Sequence, residues 1–218
     1  AAVMMLFEEG HFLLSDPIAK YLPEFKDMVV YVGTKDGKMQ TEPARPITIH
    51  HLLTHTSGMT YSLFPTPVGQ LYRDAFIDGS SAPIIQSDPQ TGKLSVLSDE
   101  DDPERHGTLK EWSETAAKLP LVAQPGTEWH YSVSIDVLGR LIEVISGQTY
   151  RDFMKSRLFD PLGMSDTDFY VPEGKISRFA TSYVPNPKGG LVAIDDAANS
   201  YYRRPPAIAF GGTGLVGT

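Results

Sequence analysis

The sequence predicts a mainly α-helical chain with little sheet. Ile135, Leu138, Leu141, Ile142 and Ile145 recur at helical spacing and lay one apolar stripe on one helix, which Gly147 closes. Thr48 and Thr108 each stand just before a helix-forming run, where a hydroxyl takes up a backbone N–H that the first turn leaves unpaired. From Met164 onward, by contrast, apolar runs are short and broken by Pro and Gly, the pattern of short strands and loops.

In chain order, Ala1 to about Glu9 reads as a first helix, apolar on every side and so expected to be buried, with Gly10 where a left-handed residue ends it. Asp16-Pro17 has the cap and first-turn pattern of a short second helix running to Tyr21-Leu22, before Pro23. Met28 to Val32 reads as a strand and residues 33–46 as loop. Thr48 caps a helix from Ile49 to His55, ended by Ser57-Gly58, and Leu71 to Ile77 forms one or two further helical turns. Residues 78–107, rich in Ser, Asp, Pro and Gly and carrying Asp99-Glu100-Asp101-Asp102, read as a long excursion loop or lid within one domain. A helix from Leu109 to Leu119 stops at Pro120, and Pro125-Gly126 is a turn. Asp136 and Arg140 stand as an i,i+4 pair on the amphipathic helix. Thr149 to Phe159 is the last helix, ended by Asp160-Pro161. The first helix starts without a leader and the Gly-rich end has no capping element, so residues 1–218 read as a single domain incomplete at both ends.

The 218 residues carry 19 Lys and Arg against 27 Asp and Glu, a formal charge of −8, and 41% are hydrophobic. These are globular proportions. The acidic balance, with no basic cluster to reverse it, argues against a nucleic-acid partner. No run of about 18 apolar residues offers a membrane span. Cysteine is absent, which removes disulfides, thiolate metal ligands and a cysteine nucleophile. The compartment stays open, a cytoplasmic setting slightly favoured, and nothing indicates an oligomeric state.

No Walker A loop or strand-linked dinucleotide fingerprint points to a cofactor. His51 and His55 lie four residues apart, but no carboxylate completes a metal site, and helix packing or capping accounts for them better. No G-x-S-x-G elbow occurs. No serine is followed by Lys at the third position; Thr115-Ala116-Ala117-Lys118 comes nearest and falls in mid-helix. Ser57 stands two residues from His55, yet no third group orients a base toward it, and a Thr-Ser-Gly turn explains both.

Four segments, in order along the chain, carry a resemblance. Ile47-Thr48-Ile49-His50-His51-Leu52-Leu53-Thr54-His55-Thr56-Ser57-Gly58-Met59 resembles the helix-and-turn signature of the serine β-lactamase-like superfamily. Pro125-Gly126-Thr127-Glu128-Trp129-His130-Tyr131-Ser132 and the helix after it are similar to the family's Pro-Gly, Trp, Tyr-Ser segment. Phe159-Asp160-Pro161-Leu162-Gly163-Met164-Ser165-Asp166-Thr167 and Gly211-Gly212-Thr213-Gly214-Leu215 fit two later segments. The nearest subgroup in pattern is the β-lactamase-like carboxylesterases of family VIII, relatives of class C β-lactamases and D-amino-acid peptidases.

The resemblance implies a mainly α fragment of an α+β β-lactamase/transpeptidase-like fold: the helical subdomain, with most of the antiparallel sheet outside the chain. It implies a nucleophilic Ser-x-x-Lys just upstream of Ala1, whose helix the first helix continues, and a final active-site strand beyond Thr218. It implies a serine hydrolase that cleaves small-molecule carboxylic esters through an acyl-enzyme, with no cofactor and no metal. A β-lactamase, a D-Ala-D-Ala peptidase or an acyltransferase of the same fold is the alternative, and a non-catalytic scaffold a further one. Tyr131 matches the family's catalytic tyrosine; the third position of that motif is Val133, where β-lactamases carry an Asn that binds the lactam side chain, so the motif resembles the esterase branch.

A serine hydroxyl needs a base to take its proton. A phenol, of ordinary pKa about 10, does so only as the phenolate, which a neighbouring Lys ammonium favours. Tyr131 is therefore the expected general base, placed by the rigid helix that follows it. Ser132, Trp129, Tyr61 and Phe64 are the candidate substrate contacts. Beside those roles stand plainer ones: N-cap of the next helix for Ser132, and packing beneath Tyr131 for Trp129.

Overall fold

The amphipathic stripe becomes the helix around which the others assemble. In a computed structural model that describes residues 1–77, 84–87, 94–97, 107–186 and 189–218, this helix, α5, spans Ser134–Ser146 and ends at Gly147 with φ 69°. Val137, Leu138, Leu141 and Ile142 are buried along it. Each such side chain contributes roughly 1.5–3 kcal/mol of transfer free energy. Four helices pack on it: α1 (Ala2–Glu8), α2 (Ile49–Leu53), α4 (Leu109–Ala116) and α6 (Tyr150–Met154). A further helix, α3 (Pro67–Asp74), begins at Pro67 behind a Thr66 cap, four residues earlier than the apolar pattern suggested, because Pro at the first helical position presets the turn.

The helix starts follow the threonines. Thr48 and Thr108 each accept the amide of the residue three positions on, and in both the third helical residue reaches back, His51 through its ring and Glu111 through its carboxylate. Thr149 caps α6, which continues as a wider π turn over Lys155–Phe159. The first helix is not buried all round: Ala2, Val3 and Leu6 face inward, while Met4, Met5 and Phe7 are half-buried. Asp16 does not cap a helix; its carboxylate accepts from Leu13 and Lys20, and two 3-10 turns, Ile18–Lys20 and Pro23–Phe25, replace the expected helix on either side of Leu22.

Three antiparallel strand pairs are described: β1 (Val29–Lys35) with β2 (Lys38–Pro43), β3 (Ile84–Ser87) with β4 (Leu94–Leu97), and β5 (Ser182–Pro185) with β6 (Leu191–Asp195). The loop expected over 33–46 is mostly β1 and β2. Their turn is Asp36-Gly37 with φ 51° and 73°, the left-handed pair whose twist matches a hairpin. Two strands also interrupt the expected loop over 78–107, Ile84–Ser87 pairing with Leu94–Leu97; the acidic run 99–102 lies outside the described residues. On the amphipathic helix, Arg140 pairs with Glu143 at 2.9 Å and not with Asp136, which is fully buried and turned toward the Gly-rich end of the chain. No described helix is long and apolar enough to cross a membrane.

Candidate active site

Two segments build the site. Residues 54–60 leave α2, and residues 122–134 lead into α5. Backbone bonds tie them: Gly126 N–H donates to the Thr56 carbonyl at 2.8 Å, His130 to His55 at 2.8 Å and Val122 to Gly58 at 2.7 Å. The close approach requires glycine. Gly58 has φ 81°, and a Cβ there would collide with the Ala123 carbonyl.

Tyr131 projects from the end of the second segment, with 45% of its surface exposed. Three rings surround it: His55 at 5.0 Å between centroids, Tyr61 at 5.1 Å, and Trp129 at 6.4 Å and nearly parallel. Tyr131 is thus not a buried core aromatic. Trp129 does not pack beneath it either; 65% exposed, it stands beside it toward solvent. Tyr61 is buried, with its hydroxyl 3.1 Å from where a Cβ on Gly212 would sit. Phe64 is half-buried against the core and, among the described residues, makes no ring contact with this cluster.

Ser132 is fully buried and does not cap α5; Val133 holds that position. Its hydroxyl belongs to a chain of side chains beneath Tyr131. Ser132 Oγ lies 3.3 Å from His55 Nδ1 and 2.7 Å from Ser134 Oγ, and Ser134 Oγ lies 2.8 Å from Ser57 Oγ. Ser57 is fully buried and accepts the Met59 amide at 3.2 Å.

His55 itself lies past the end of α2, in a left-handed conformation with φ 53°. It therefore shares no helix face with His51, whose Nδ1 accepts the Thr48 amide. A non-glycine residue held left-handed costs about 1–3 kcal/mol, and such strain concentrates at functional positions. Burial pushes the His55 imidazole below its ordinary range and so favours its neutral form. Among the described residues no cluster of three His, Asp or Glu stands ready for a metal ion.

His55, Ser57 and Ser134 are members of this arrangement that residue patterns did not single out as a site. The signal for His55 was its place directly before a Thr-Ser-Gly turn; Ser134 carried none.

A family model described as "Beta-lactamase" matches residues 1–218. Esterase EstB of Burkholderia gladioli is 32% identical over 100% of this chain and 50% of its own length. A lovastatin esterase of Penicillium rubens is 29% identical over 98% and 48%. Among solved structures, EstCE1, a hydrolase with promiscuous acyltransferase activity, has a TM-score of 0.68 at 26% identity and covers 99% of this chain and 51% of that one. A mutant of the simvastatin synthase LovD from Aspergillus terreus has a TM-score of 0.69 at 26% identity, covering 98% and 45%. The chain spans about half the length of these relatives.

Proposed function

Because the chain belongs to the Beta-lactamase family and folds as its members do, we propose that the complete protein is a serine hydrolase that cleaves carboxylic esters through an acyl-enzyme, with Tyr131 as its general base. The observation that carries this reading is the half-exposed phenol of Tyr131 (45%), anchored at the start of α5 and walled by the rings of His55, Tyr61 and Trp129. A phenol available to solvent yet fixed in direction is what proton transfer to and from a substrate-side oxygen requires.

The 218 residues contain no Ser-x-x-Lys, and we assign that pair to the part of the protein N-terminal to Ala1. In the proposed cycle the Tyr131 phenolate takes the proton of that serine as its oxygen attacks the ester carbonyl. The phenol then returns the proton to the departing alcohol. Water repeats the sequence on the acyl-serine, releasing the acid and restoring the serine. Trp129 and Tyr61 line the approach, Phe64 lies toward the acyl side, and Ser132 stands beneath Tyr131 as the link to the hydroxyl chain.

The names of the relatives, esterases together with methylbutanoyltransferases, favour a second reading in which an alcohol replaces water in the last step. The test is hydrolysis of 4-nitrophenyl butyrate by the complete gene product, with and without an added alcohol, and of a chromogenic cephalosporin beside it. Ester turnover that Tyr131→Phe depresses a hundredfold or more supports the proposal. Turnover within threefold of wild type removes Tyr131 from the mechanism. Cephalosporin turnover exceeding ester turnover would place the protein with the β-lactamases.

A further inference from the structure

His55 holds the segment around Tyr131 at three points. Its backbone carbonyl accepts the amide of His130 at 2.8 Å. Its ring Nδ1 accepts the amide of Ser132 at 3.3 Å. Its ring lies 5.0 Å from the Tyr131 ring between those two bonds. The left-handed φ of 53° directs carbonyl and ring to the same strip of backbone; a helical residue there would carry its carbonyl along the axis of α2.

The Ser132 amide fixes which ring nitrogen carries the proton. A backbone N–H only donates, so Nδ1, facing the Ser132 amide, has no hydrogen and the proton sits on Nε2. The Ser132 hydroxyl must then donate to Nδ1, Ser134 to Ser132, and Ser57 to Ser134. At the far end Ser57 accepts the Met59 amide at 3.2 Å. In this direction each hydroxyl accepts once and donates once. A proton on Nδ1 would set donor against donor at the Ser132 amide.

From this geometry we infer that His55 is a positioning residue: through Nδ1 and the serine chain behind it, it fixes the backbone on both sides of Tyr131 and the direction of its phenol. The inference rests on the proposed role of Tyr131 for its catalytic consequence, though not for its structural one.

The experiment uses the complete gene product with His55→Ala, His55→Asn and Tyr131→Phe. Asn tolerates a left-handed backbone and offers an oxygen close to where Nδ1 stands; Ala offers no acceptor. His55→Ala is expected to lower kcat for 4-nitrophenyl butyrate tenfold or more with KM within threefold, and His55→Asn to recover kcat to within threefold of wild type. The ring-carbon NMR signal of Tyr131, assigned through Tyr131→Phe, is expected to shift or broaden in His55→Ala and to return in His55→Asn. Should His55→Ala fail to fold, His55→Asn together with the imidazole 15N signals of the wild type decides: an Nδ1-protonated ring, or an Asn variant as impaired as a Tyr131→Phe enzyme, overturns the inference. A His55→Ala protein with kcat within threefold and an unmoved Tyr131 signal overturns it as well. If Tyr131→Phe leaves kcat intact while His55→Ala still moves the Tyr131 signal, the general-base reading fails and the positioning survives.

Discussion

Asp136, buried on α5, accepts the backbone amide of Gly212 at 2.8 Å, joining the start of the central helix to a segment 76 residues later. The carboxylate oxygens also lie 3.2 Å from where a Cβ of Gly212 would be, beside the Tyr61 hydroxyl at 3.1 Å. One residue thus holds the Gly-rich segment against the floor of the site, and its negative charge adds to burial in pushing the Tyr150 phenol up to about 12.

Asp136→Ala leaves the Gly212 amide without that acceptor. A lost hydrogen bond to a charged, buried group costs about 1.5–3 kcal/mol. The expected outcome is a fall in unfolding free energy of that size, read as a lower urea midpoint with an unchanged slope, and faster amide exchange at Gly212. Unchanged exchange there would mean that the segment is held by other contacts.

Gly58 and Gly10 separate conformation from space. Their φ values are 81° and 80°, but a Cβ on Gly58 strikes the Ala123 carbonyl while one on Gly10 meets nothing within 4 Å. Gly10→Ala is expected to lose only the left-handed penalty, about 1–2 kcal/mol. Gly58→Ala adds backbone displacement between the two segments of the site and should lose well over that, with Tyr131 fluorescence altered. Equal thermal midpoints for the two variants would contradict this account.

Burial holds the imidazoles of His55 and His51 below the ordinary value of 6.5. Between that value and their depressed folded ones, the unfolded chain binds more protons than the folded chain, so stability rises with pH. The contribution is complete above about 6.5 and is lost as the pH falls. Lower down, carboxylates act in the same direction: the Lys20 ammonium, with the Leu13 amide and the Tyr21 hydroxyl, holds Asp16 at about 2, so its stabilisation persists above the ordinary carboxylate range and vanishes as pH approaches that value. Urea midpoints measured from pH 8 to pH 3 should decline through the histidine range, and His55→Asn should flatten that part of the decline.

Arg151 grips Asp168 with two bonds of 2.7 Å, tying α6 to the backbone that pairs with Val216. Burial alone would raise the Asp168 carboxyl; the guanidinium and the Phe169 amide bring it below its ordinary value. Arg151→Lys keeps the charge and loses the fork. A loss of about 1 kcal/mol or more in stability is expected, read by chemical denaturation at low and moderate salt.

What the residues disclosed and what they hid divides along physical lines. Thr48 and Thr108 gave true helix starts because a cap is a local interaction, three residues long. The stripe on α5 was legible because its period reports the buried face directly. The i,i+4 spacing of Asp136 and Arg140 predicts a pair, but spacing alone cannot tell a carboxylate on a solvated face from one buried under a loop 76 residues away. The Asp36-Gly37 turn carries a hairpin signal, but the composition of residues 33–46 is that of a loop and masks the strands on either side of it. The serine chain beneath Tyr131 joins residues 77 positions apart, Ser57 with Ser134, and no local pattern announces it.

Trp129 separates binding from folding. It is 65% exposed, stacks on Tyr131 and meets the half-buried His55 ring edge-on at 6.3 Å. Surface changes of that kind alter stability by about 0.5 kcal/mol or less. If its indole lines the approach of an ester, as proposed above, truncation removes apolar contact with substrate, in the ground state and the transition state alike, so KM rises while kcat holds. In the complete gene product, Trp129→Ala should therefore keep its thermal midpoint within about 2 °C and raise KM several-fold for long-chain 4-nitrophenyl esters, less for the acetate. A uniform loss of kcat across chain lengths, with KM unmoved, would instead make the indole a prop for the phenol beside it. An unchanged enzyme would take it out of the site altogether.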